Sequence, residues 1–218
     1  SDNQIISQLD VLSKDFTRNN TDRFNTPSDF YPIVSNLQIE FCLAKQTPDG
    51  LPTNGIIRKE TINNNFLLDE NKIFHDSLGG STAWNTEKYL NIWVCEIEDG
   101  ILGWSQYPAG GNTNTDGVVI NYEHFGSIGT ALSPYDLGRT ATHEVGHWFN
   151  LYHLWGDSNC GDDFVSDTPE QEDANFGCKI HPNISCNNNG DMFMNYMDYT
   201  NDNCMNSFTH GQKNRVWS

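Results

Sequence analysis

Basic residues are scarce in this sequence. Twelve Lys and Arg stand against 29 Asp and Glu in 218 residues, a formal net charge of −17. Nucleic acid and anionic membrane both recruit basic surface, so this balance argues against either as a partner. Long apolar runs are missing as well: no stretch approaches the ~20 residues that cross a bilayer. The opening Ser1-Asp2-Asn3-Gln4 lacks an initiator methionine and signal-peptide character, as expected of a mature product. There is no internal repeat. Nor do the cysteines at 160, 178, 186 and 204 include a C-x-x-C pair, the spacing that a structural zinc site would use.

What is present is enough for one core. At 218 residues and 36% hydrophobic content, a single domain with a core divided by a cleft is expected. Four of the six cysteines fall between Cys160 and Cys204, in a segment with little apolar material to hold it. Bridges formed in an oxidising compartment would do so, which implies a secreted chain. Ile5, Leu9, Leu12 and Phe16 recur at helical spacing and predict a first helix. Leu37 to Leu43 and Tyr89 to Cys95 read as strands. So do Ile101 to Tyr107, after an Asp99-Gly100 turn, and Val118 to Tyr122. A sheet of four or five strands follows. A second helix is predicted from about Pro134 or Tyr135 to Phe149. A last one begins near Thr209, where Thr209-x-x-Gln212 has the form of a capping box.

The second helix carries the chemistry. In His143-Glu144-Val145-Gly146-His147 two imidazoles stand four residues apart on one helix face and can share one metal ion. Glu144, one step round the helix, can meet a metal-bound water without being a ligand. Two solvated histidines on a polar face would have the same spacing; His153 separates the readings. A straight helix would turn His153 away, so the chain must bend sharply, and Asn150 sits at the bend as one of the few residues that tolerate a left-handed backbone. Three neutral imidazoles leave zinc an open position for water, and Glu144 would take that water's proton and hand it to the leaving amine.

The run His143 to His153, its continuation Trp155-Gly156-Asp157, the stretch Asp167-Thr168-Pro169 and Asn195-Tyr196-Met197-Asp198-Tyr199 together resemble the pappalysin family of metzincin metallopeptidases, the ulilysin-like group. Gly55-Ile56-Ile57-Arg58 and Asp116 to Ile120 are similar to it too, so the likeness covers all but the first ~30 residues. The resemblance implies an α+β, metzincin-like fold. A twisted mixed sheet and two long helices would form an N-terminal lobe over about residues 1–153. An irregular C-terminal lobe with a terminal helix would follow over about 154–218, with zinc in the cleft between them. It further implies that Met197 lies beneath the imidazoles in a Met-turn and that Tyr199 helps to stabilise the oxyanion. By the same likeness Cys160 pairs with Cys186, and Cys178 with Cys204. Cys42 and Cys95, on candidate strands, are expected to be free thiols, with a third bridge as the alternative.

Two further expectations concern ligands. Asp163, Asp167, Thr168 and Glu170 crowd hard oxygen donors into an apolar-poor segment, where the resemblance also implies structural calcium. The pocket for the residue after the scissile bond is expected after Met197, with Asp202 and Asn203 as its selecting residues. A basic preference survives if Asp202 turns inward. The reaction expected is therefore hydrolysis of peptide bonds in proteins by a monomeric zinc endopeptidase. A non-cleaving adhesion module on the same fold and a zinc hydrolase of non-protein amides are the alternatives.

Overall fold

The computed structural model describes residues 1–67, 69–98 and 100–218, so Asp99, half of the expected Asp99-Gly100 turn, lies outside it. The first helix, α1 (Asp2–Phe16), begins where the Ser1 hydroxyl accepts from the Gln4 amide and buries Leu12 and Phe16 completely. A short strand, β1 (Val34–Ser35), comes next. Residues 37–43 then form no strand. Gln38 takes a left-handed backbone (φ 64°). The Phe41 amide is used by the Ser13 hydroxyl at 3.0 Å, so the alternating pattern there faces α1 rather than a sheet.

Three strands make the main sheet among the described residues, fewer than the four or five expected. They are β2 (Ile92–Cys95), β3 (Gly103–Ser105) and β4 (Val118–Asn121), in the order β2-β4-β3. β2 runs parallel to β4 and β3 antiparallel to it, which makes the sheet mixed and leaves β3 at an edge. All four β4 residues are buried, as a central strand requires.

The motif helix, α2 (Arg139–Trp148), starts several residues later than its pattern suggested. Gly138 is left-handed at φ 79° and no local side chain caps the helix. Instead the distant Asp202 carboxylate accepts from the Leu137 and Arg139 amides at 2.8 and 3.1 Å. Beyond it, residues 154–207 carry almost no regular structure. Bridges Cys160–Cys186 and Cys178–Cys204, the pairing the resemblance implied, tie this segment down, and Cys42 and Cys95 are free. Buried carboxylates act as internal staples: Asp198 accepts from the Gln171 side chain and from the Asn175 amide and side chain. β5 (Phe208–Thr209) pairs antiparallel with β1, and α3 (His210–Val216) opens on the Thr209–Gln212 capping box. One core joins α1, α2 and β4 to Met192, Met194, Tyr196 and Met197, so the loop that approaches the motif helix is anchored as firmly as the helix itself.

Candidate metal centre

The end of α2 sets the geometry. Asn150 is left-handed at φ 71°. Its amide donates to His147 O at 2.8 Å, and the Leu151 amide to Gly146 O at 3.0 Å. These two bonds are the paired closure of a Schellman turn, which stops the helix and reverses the chain. His153 is thereby returned to the face that carries His143 and His147.

The three imidazoles converge. His153 Nε2 lies 3.2 Å from His143 Nε2 and 3.0 Å from His147 Nε2. Each opposite nitrogen faces an acceptor: His143 Nδ1 meets Tyr196 O at 2.7 Å, His147 Nδ1 meets Leu151 O at 2.7 Å, and His153 Nδ1 meets Asp157 Oδ1 at 2.5 Å. The protons therefore sit on Nδ1, and three Nε2 lone pairs point at one another. That arrangement is repulsive unless a cation lies among them. Nitrogens ~2.1 Å from one tetrahedral zinc would be ~3.4 Å apart, a few tenths of an ångström wider than the 3.2 and 3.0 Å found. Burial holds all three rings in the neutral form that metal binding needs, pushing His147 down to about 3 and lowering His143 and His153, with the neighbouring imidazoles adding to the effect on His143 and His147.

Met197 packs against the motif helix. A Cβ on Gly146 would overlap its sulfur, so the glycine of the motif lets the Met197 loop close against the helix. Trp155 stacks flat on His153, with centroids 4.3 Å apart. Tyr199 stands over the triad, its ring 5.4 Å from His143 and 4.9 Å from His153, and burial pushes its phenol up to about 12. Its hydroxyl therefore stays protonated at neutral pH.

Glu144 lines a cleft of about 430 Å³ beside the histidines, together with Tyr199, Thr200, Asp202 and Met205. Burial pushes its carboxyl up to about 8, and the neighbouring Ser105 hydroxyl opposes the shift without closing a formed hydrogen bond. β3 lies close against the motif helix: a Cβ on Gly103 would meet Val119 O at 2.8 Å, Ile120 Cδ1 at 2.9 Å and Glu144 Cγ at 3.1 Å. Asp202 is turned inward and buried, and its Oδ1 meets no donor among the described residues. Asn203, on the outer side of the same short turn, is exposed and does not line the cleft, which corrects its assignment to the pocket.

The oxygen-rich segment divides. Asp163 and Thr168 are bonded to each other and, with Glu170, line a separate cavity of about 170 Å³. The Asp167 carboxylate does not join them, because it accepts from Thr209 Oγ1 and the Gly211 amide at the start of α3. Asp157, read from the sequence as part of the run that continues the motif, is placed instead as the partner of His153 Nδ1. Tyr107, whose hydroxyl is 2.9 Å from His147 Nδ1, escaped the sequence reading because it carries no local signal.

The sequence matches the peptidase family described as pregnancy-associated plasma protein-A over residues 74–218. It is 39% identical over 165 residues to an extracellular metalloprotease of Pyricularia oryzae, covering 72% of this chain and 56% of that one. An extracellular metalloprotease of Uncinocarpus reesii is 34% identical over 204 residues, with 88% and 70% covered. This chain thus spans little more than half the length of the first relative. Mature mirolysin of Tannerella forsythia in complex with a cleaved peptide is similar in structure at a TM-score of 0.97, with 51% identity over 100% of this chain and 84% of that one.

Proposed function

The chain belongs to the pappalysin family of metallopeptidases, and from that premise we propose that it is an extracellular zinc endopeptidase acting on peptide bonds in proteins. The observation that carries the reading is the convergence of three Nε2 lone pairs beside a buried carboxylate in an open cleft. His143, His147 and His153 would hold zinc. When bound, zinc supplies Lewis acidity, which acidifies the attacking water and polarises the scissile carbonyl.

The protein's own groups do the rest. Glu144, fixed on a rigid helix next to the first ligand, takes the proton of the attacking water and returns it to the leaving amine. Burial disfavours its charged form, and the carboxylate that accepts the proton would be favoured by zinc bound beside it. Tyr199 Oη donates to the oxygen that becomes anionic as the carbonyl is attacked. The free edge of β3 binds the peptide backbone as an added strand. Bonds to β4 use the Leu102 carbonyl and the Gln106 amide, and strand alternation therefore leaves those of Gly103 and Ser105 facing the cleft.

Substrate preference follows from Asp202. The side chain after the scissile bond enters the cleft that Asp202 lines, and the unengaged Oδ1 favours Arg or Lys there. Part of that charge is already committed to the α2 amides and offset by Arg139, so the preference is modest. Calcium binds around Asp163, Thr168 and Glu170 as a structural ion. The two lobes, about 1–153 and 154–218, work as one catalytic domain in a monomer.

The test is a casein assay with and without chelator, on the parent and on Glu144→Ala. Hydrolysis should vanish with chelator and fall by several orders of magnitude in the variant, while zinc content by metal analysis stays at one per chain. Activity within tenfold of the parent would reject Glu144 as the base.

A further inference from the structure

On the far side of the histidines from the Asp202 cleft, aromatic rings continue outward in a row. The Tyr107 ring is 5.1 Å from that of His147, Tyr152 lies stacked 5.1 Å beyond Tyr107, and Phe164 follows 5.8 Å from Tyr152. Three different segments supply them: the end of the β3 edge, the turn after α2 and the acidic loop of the C-terminal lobe. From beneath, Arg215 of α3 braces the row. Its Nε donates to Asn150 O at 2.5 Å and its guanidinium lies 4.7 Å from the Tyr152 ring centre and 5.9 Å from that of Phe164.

The outer ring is left open. Phe164 is 68% exposed although its backbone is left-handed at φ 60°. Exposing a phenyl group forgoes the burial energy of a large apolar side chain, and holding a non-glycine residue at positive φ adds to the cost. Nothing in the core recovers it. The row begins against His147, and Tyr107 stands four residues along the chain from Gly103, ~13 Å if extended.

We infer that Tyr107, Tyr152 and Phe164 form a subsite for an apolar or aromatic substrate side chain two or three residues before the scissile bond. The inference rests on the endopeptidase reading above. An extended peptide laid along β3 crosses the histidines once. If the residue after the scissile bond fills the Asp202 cleft, the residues on the Tyr107 side precede it. At the spacing of an extended chain, the side chain reaching Tyr107 belongs to the second or third of these. Tyr107 and Arg215 cover the Tyr152 ring and fix it in place, and the exposed Phe164 ring beyond it takes an apolar group without further ordering.

The experiment uses peptides with one fixed cleavable bond, Phe or Ser at the second or third position before it, and Arg or Leu after it. Each is cut by the parent and by Phe164→Ser, which alters an exposed side chain and leaves the fold in place. The parent should favour Phe over Ser by about tenfold in kcat/KM at one of these positions. The variant should lose most of that ratio and keep its Arg to Leu ratio. A parent with no preference for Phe, or a variant in which both ratios fall together, would overturn the subsite while leaving the peptidase reading intact. Cleavage of none of the peptides would remove both.

Discussion

Each imidazole of the triad is oriented by a different acceptor, and the difference decides which is most easily disturbed. Tyr196 O and Leu151 O belong to the buried backbone, beyond the reach of side-chain substitution. The acceptor for His153 is the carboxylate of Asp157, whose side chain is 60% exposed. It fixes the tautomer and adds negative charge next to the metal position, as partners of ligating histidines commonly do. Asp157→Ala should therefore weaken zinc binding about 10–100-fold. Asp157→Asn, which keeps an acceptor but not the charge, should lose less. Competition against a chromophoric chelator measures both, and an unchanged affinity in the alanine variant would show that Trp155 stacking alone orients the ring.

At the scale of elements, the N-terminal end of α2 is held by residues far away in sequence. Its N-terminus is capped by Asp202, which also lines the cleft, so one side chain caps the helix and, on the function proposed above, would select the substrate. Asp202→Ala should cost about 1–2 kcal/mol, the value of a lost cap, read as a lower urea midpoint. Asp202→Asn retains an acceptor and should remain close to the parent in stability. In that variant cleavage before Arg or Lys should fall far more than cleavage before Leu, and an equal effect on both would reject Asp202 as the selecting residue. The same helix is joined to α1 by the buried pair of Arg139 with Asp15, which also accepts from Thr142 at 2.7 Å. Burial outweighs Arg139 and pushes the Asp15 carboxyl up to about 6. A carboxyl whose folded value lies above its unfolded one near 4 contributes stability that is fully present below the lower value. That contribution is lost as pH rises through about 6. The stability difference between the parent and Asp15→Asn should accordingly shrink from pH 4 to pH 6 and level off by pH 7, as urea unfolding across that range will report. A difference that grew with pH would mean that Arg139 dominates.

For the whole molecule, the irregular segment after α2 must remain folded without a sheet or long helix of its own. Two bridges, each spanning 26 residues, and a set of buried carboxylates replace them. Closing a loop of that length removes enough unfolded-chain entropy to stabilise by roughly 3–4 kcal/mol. Replacing Cys160 and Cys186 together by Ser should lower unfolding free energy by about that amount. Because Cys160 lies in the loop that follows Asp157, zinc affinity should fall with it. A stability loss under about 1 kcal/mol would mean that the polar network holds the segment without the bridge.

The sequence by itself determined the local features. The capping box of α3, the two histidines on one helix face, the turn at Asn150 and the return of His153 all follow from contacts within a few residues. There, backbone preference and side-chain spacing leave few choices. Tertiary structure decided the rest. The strand pattern at 37–43 was turned to packing on α1, since alternation records which side is buried but not what buries it. α2 took its starting point from a carboxylate more than sixty residues away, a partner that no local pattern encodes. Asp167 was drawn to cap α3, away from the other oxygen donors, because composition places donors in one segment without saying where each points. Asp202 and Asn203 are neighbours in the chain, yet one faces the cleft and the other faces solvent. Only the packing of the surrounding loop could make that distinction.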